Sequence, residues 1–158
     1  MAGMYGRDNQ RSAVYRWQVA YSNAQSTTEC VTIEQARRLV LKVWVEQSRS
    51  GRDAPRVVCG HARRNTNSAW YRSAEHKLCL QREGFKRTVL HELAHALVRD
   101  EPCFACVQSH GREFMYVYIR LCALYLGWDE ADATLNARRS GVGVASIEDM
   151  QHRKEIAA

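Results

Sequence analysis

Proline is scarce, with Pro55 and Pro102 alone among 158 residues, and no Pro-rich linker, internal repeat or low-complexity tract interrupts the chain. One domain over residues 1–158 is expected, with 1–12 and the stretch from about 141 to 158 flexible. No run of eighteen apolar residues occurs, so no helix of membrane-spanning length is expected. The N-terminal MAGMYGRDNQRS is polar and lacks the apolar centre of a secretory signal. The expectation is a cytoplasmic protein, neither secreted nor membrane-bound, and a monomer. Its six cysteines then read as reduced thiols, with Cys30, Cys59, Cys79 and Cys122 in no special role. Lysine is rare as well: 19 of the 23 basic residues are arginine, and the net charge is +6. A positive excess favours contact with polyanions such as DNA. The arginines are nevertheless scattered, with local pairs only at Arg37 and Arg38, Arg63 and Arg64, and Arg138 and Arg139.

What is present begins with AVYRWQVAY (13–21), which fits a strand or a short helix equally well. Thr32 followed three residues later by Gln35 is a capping box, and Ile33, Ala36, Val40, Val43 and Trp44 then recur at helical spacing to about Gln47. RVVCGHARR (56–64) and the region AWYRSAEHKLCLQ (69–81) read as strands, followed by a loop over Arg82–Gly84. A helix from about Gly84 to Val98 turns Val89, Leu90, Leu93 and Leu97 inward. A loop over Arg99–Ser109 leads to GREFMYVYIRLCALYLGW, where Phe114, Val117, Leu121 and Leu124 mark a second long helix that stops at Gly127. A short helix from about Asp129 to Arg138 and a Gly-containing tail complete the chain. This order of helix, strands and helices predicts an α+β fold.

Within the first long helix lies TVLHELAHAL, residues 88–97. A helix turns about 100° per residue, so His91 and His95 stand one turn apart on one face, where both can reach a single metal ion. Glu92 follows the first histidine and projects beside such an ion, where its carboxylate can hold a water. A catalytic zinc takes three protein ligands and keeps one position open. His110, fifteen residues beyond His95 at the start of the next helix and before the flexible Gly111, is the expected third ligand. Glu101, Cys103 and Glu113 are rivals for that place. Cys103 and Cys106 form a CxxC in the intervening loop. Two thiolates do not make a structural zinc site by themselves, so the pair stands as half of a second zinc site with partners such as Cys59 or His61, as a redox pair, or as a loop feature. His61, His76 and His152 lie outside the motif and are expected to be non-ligands.

HELAHAL followed by HGREF resembles the SprT-like metalloprotease family, including its Spartan branch, in which an HExxH helix precedes an HGxxF or HGxEF helix start. The resemblance is carried by Thr88 to about Leu126 and extends over the preceding strands and the helix from Thr32. It implies His91, His95 and His110 as Zn2+ ligands, Glu92 as the catalytic glutamate, and Phe114 packing beneath the site. It also implies a small gluzincin-like fold with a short antiparallel sheet beside the active-site helix, and intracellular proteolysis of DNA-associated proteins. Many relatives carry a separate C-terminal zinc ribbon, and no cysteine follows Gly141 here.

The activity so expected is peptide-bond hydrolysis by a water that zinc activates, with Glu92 as general base and then general acid. Tyr116, Tyr118, Tyr125 and Arg112 are candidates for a donor to the oxyanion. The substrate would be an extended or unfolded protein segment added along a sheet edge, with the strand between Trp70 and Leu80 as that edge. Two other readings stand beside it: a dedicated protease for one regulatory partner, and a non-catalytic binding or assembly protein, such as a phage might encode, in which zinc only joins helices.

Overall fold

Thr32 ends one element and begins the next. In the computed structural model, which describes residues 8–60, 69–101 and 107–157, the Thr32 hydroxyl accepts from the Gln35 backbone N–H. The Gln35 side chain accepts in return from the Thr32 backbone N–H. This is the box expected from the sequence, and through it β1 (Cys30–Thr32) passes directly into α2 (Ile33–Gln47). β5 (Glu83–Phe85) pairs antiparallel with β1, setting Val31 opposite Gly84. The expected loop at 82–84 is thus partly strand. Its pairing is extended by Ile33 N–H donating to the Arg82 carbonyl and Lys86 N–H donating to the Glu29 carbonyl, each at 2.9 Å. These bonds fix where α3 (Lys86–Asp100) starts. α2 buries Ala36, Val40, Val43 and Trp44 and packs against α3.

A second sheet has the order β2-β4-β3, formed by β2 (Arg56–Cys59), β3 (Trp70–Arg72) and β4 (Lys77–Leu80). β3 and β4 are antiparallel, as the short 3-10 turn Ser73–Glu75 between them requires. β2 and β4 are parallel, so the sheet is mixed rather than antiparallel as expected. The 17 residues from 60 to 76 supply the long connection that a parallel pair needs. β4 is consequently interior, with Leu78, Cys79 and Leu80 buried, and among the described residues only the β3 part of the expected edge lies at an edge of the sheet. His76 closes the turn in a left-handed conformation, φ 45°. Its ring sits between the Tyr71 hydroxyl and the Asp53 carbonyl, 2.9 Å from each, so neither nitrogen is spare for a metal.

Contacts gather the chain into two compact units, Thr28–Asp100, just described, and Met1–Thr27 together with Glu101–Ala158. In the second, the ambiguous 13–21 segment is helical, within α1 (Arg11–Ala24). Helix formation lets Trp17 and Tyr21, one turn apart, stack at 5.4 Å and meet Trp128 edge-on. Trp17 donates to Asn136, Tyr21 to Asp132 and Trp128 to Thr27 at 2.7–2.9 Å. Burial, then the Asp132 carboxylate, push the Tyr21 phenol well above its ordinary pKa.

α4 (Arg112–Leu126) ends on Gly127 at φ 74°, as its sequence predicts. Its buried stripe, however, runs through Phe114, Met115, Tyr118, Ile119, Leu121 and Cys122, while Leu124 is 55% exposed. α5 (Glu130–Arg139) is capped by Asp129. The tail holds a further helix, α6 (Ile147–Ala157), where flexibility was expected. Ser146 and Asp149 exchange side-chain and backbone hydrogen bonds at 2.9–3.0 Å, a cap written in the sequence as SIED. At the other end, Arg11 and Ser12, also expected to be flexible, lie in α1. Among the described residues, no helix is long and apolar enough to cross a membrane.

Candidate metal centre

α3 is buried nearly all round. Between Arg87 and Val98 only Thr88 and His95 are not fully buried, and residues seven apart lie on one face of a helix. His91 and Glu92 sit between them, 1% and 4% exposed. The His91 and His95 rings are 4.9 Å apart, tilted by 75°. One face of α3 thus presents both imidazoles together, as the HELAH spacing predicts.

His110 stands in a turn before α4, outside any helix, with Gly111 as the N-cap residue of that helix. Gly111 has φ −71°, open to any residue, so conformational freedom is not what this position uses. A Cβ there would come within 3.1 Å of the Gln108 carbonyl oxygen and 3.2 Å of the Gln108 Cβ. Glycine therefore provides space for the tight turn in which the Gly111 N–H donates to that same carbonyl at 3.0 Å. Phe114, one turn into α4 and fully buried, meets the His110 ring edge-on at 5.1 Å.

Residues ahead of α1 grip His110, a part of the site the sequence reading missed. His110 Nδ1 lies 2.5 Å from Asp8 Oδ2. A carboxylate only accepts, so Nδ1 carries the hydrogen and Nε2 is the ring's basic nitrogen. Gln10 Nε2 donates to the His110 carbonyl at 2.5 Å, while Gln10 Oε1 accepts from Gly143 N–H at 2.9 Å. Burial drives the His110 pKa below the ordinary imidazole value, outweighing the Asp8 carboxylate, which acts to raise it; Arg11 adds to the lowering. That lowering favours the neutral ring, the form that ligates a metal.

Each of His91, His95 and His110 offers one ligand atom, and the three atoms lie within 4.8 Å of one another. This group can hold a metal ion, and no other set of histidine, cysteine, aspartate or glutamate side chains is so gathered among the described residues. Neutral imidazoles in a set of three suit zinc, which accepts nitrogen donors and keeps a fourth position open in catalytic sites. The rivals Glu101 and Glu113 are not members of the group. Cys103, Cys106 and His61 lie outside the described residues. Cys30 and Cys59 are exposed thiols, and Cys79 and Cys122 buried ones. Of the oxyanion candidates, Arg112 is held by Asp149 at 2.6 Å, Tyr116 accepts from Arg120, and Tyr118 lies fully buried against Phe114. Compared with protein-family models, with curated proteins and with solved structures, the chain matches none.

Proposed function

We propose that this protein is a zinc-dependent metallopeptidase of the SprT-like kind. His91, His95 and His110 would hold the ion, and Glu92 would move the proton. The observation that carries this reading is the gathering of three histidines, together with a buried glutamate, Glu92, that directly follows the first of them in sequence. When bound, zinc supplies a Lewis acid that polarises a peptide carbonyl and lowers the pKa of water to about 7. The Glu92 carboxylate takes the proton of the attacking water and returns it to the departing amine, general base work followed by general acid work. Burial of Glu92 keeps competing bulk water from that oxygen. His110, with its Nδ1 facing Asp8, leaves Nε2 as the nitrogen that would hold the ion.

The substrate class proposed is an extended protein segment, recognised along the open edge of β3 by main-chain hydrogen bonds. The resemblance to SprT-like proteases and the +6 charge favour substrates associated with DNA.

The test is cleavage, read by mass spectrometry, of the protein itself and of a disordered basic protein. Wild type is compared with zinc-loaded Glu92→Gln, with and without single-stranded DNA. Cleavage that requires Glu92 supports the reading, and stimulation by DNA supports its substrate class. A Glu92→Gln protein as active as wild type would sink the mechanism.

A further inference from the structure

His91 and His95 take their orientation from the backbone of α3, but His110 belongs to a turn and has no helix to aim it. Its ring plane is set by aromatic contacts, Phe114 at 5.1 Å and Tyr15 at 5.3 Å. Ring contacts do not decide which nitrogen carries the hydrogen. A neutral imidazole exists as two tautomers, and in one of them Nε2 bears the hydrogen and cannot ligate. The hydrogen bond from Nδ1 to Asp8 bears on this choice, because a carboxylate oxygen accepts a hydrogen only from an Nδ1 that carries one. The other oxygen of Asp8, Oδ1, is buried with no hydrogen-bond partner among the described residues. Burying a carboxylate oxygen in that way costs stability, which a merely structural contact has no reason to retain.

We infer that Asp8 is a positioning residue for the third metal ligand: it selects the Nδ1–H tautomer of His110 and aims Nε2 at the ion. The inference rests on the metal reading proposed above. Gln10 assists by holding the His110 carbonyl against the Gly143 segment, so the ring and the backbone of one ligand are both held by residues about 100 positions away in sequence. Partners of this kind, one shell out from a metal, typically change its affinity about 10–100-fold when removed.

The experiment measures zinc(II) affinity by competition with a chromophoric chelator for wild type, Asp8→Ala and Asp8→Asn. Two readouts on the metal-free proteins accompany it: the melting temperature, and the tautomer of His110 by long-range nitrogen-15 NMR. The expected result is a loss of about 10–100-fold in zinc affinity for Asp8→Ala, and a smaller loss for Asp8→Asn, whose amide oxygen still accepts from Nδ1–H. His110 should be the Nδ1–H tautomer in wild type and should lose that preference in Asp8→Ala, with the metal-free melting temperature little changed. Zinc affinity within twofold of wild type in both variants overturns the inference, as does an Nε2–H tautomer in the wild type. If Asp8→Ala does not fold, Asp8→Leu, whose side chain cannot accept from Nδ1–H, decides by the same affinity criterion. A wild-type chain that binds no zinc overturns the metal reading itself. Zinc binding without any proteolysis overturns only the proposed activity and leaves the role of Asp8 decided by affinity and tautomer.

Discussion

His91 and His95 inherit their places from one helix, whereas His110 depends on a turn that only a small residue permits. Two predictions belong at this scale. On the proposed reading His110→Ala removes a ligand that no other grouped side chain among the described residues replaces, so zinc affinity should fall by at least two orders of magnitude while α3 remains folded, as read by chelator competition and circular dichroism. Gly111→Ala forces a methyl group to within 3.1 Å of the Gln108 carbonyl oxygen. It should lower stability by about 1–3 kcal/mol and weaken zinc binding by displacing His110, which thermal unfolding and the same competition assay would register. The placement of His91 and His95 together was legible in the sequence because four-residue spacing is local and a helix converts it into one face. Asp8 was not, because no spacing rule joins residues about 100 positions apart, and RDNQ reads only as a polar start.

Among the elements, legibility followed local chemistry. α2 occupies the span expected from its capping box, and α4 stops at the expected glycine. Thr32→Ala should cost about 1 kcal/mol by removing the cap, and Gly127→Ala about 1 kcal/mol or slightly more by forcing a side chain into φ 74°. Both are measurable by denaturant unfolding. The phase of α4 was misread at Val117 and Leu124 because its helix offers two overlapping apolar stripes. Tyr118 and Cys122 win when the aromatic cluster around Trp128 claims one of them. The parallel pairing of β2 with β4 escaped for another reason. Strand direction is set by the connection, and periodicity carries no information on it. α6 could have been found, since SIED is the same kind of signal that revealed α2.

For the molecule as a whole, the proposed reading links metal binding to folding. A ligand that binds only the folded state stabilises it by about 2.7 kcal/mol when present at a hundred times its Kd. Zinc should therefore raise the melting temperature by roughly 5–10 °C at that excess, and removal by EDTA should reverse the shift. Magnesium, which prefers oxygen ligands, should give no such shift at equal concentration.

The division of the chain also orders events in time. All contacts of the unit Thr28–Asp100 lie within one continuous stretch, so they can form as soon as residue 100 has left the ribosome. The other unit joins Met1–Thr27 to Glu101–Ala158, and the bond between Asp8 and His110 closes a loop of about 100 residues, which a nascent chain cannot make earlier. During synthesis the HELAH helix can therefore exist with two histidines and no third. On the proposed reading, a chain still being made is an inert zymogen by geometry alone, and competence arrives only once His110 and the helix after it have emerged.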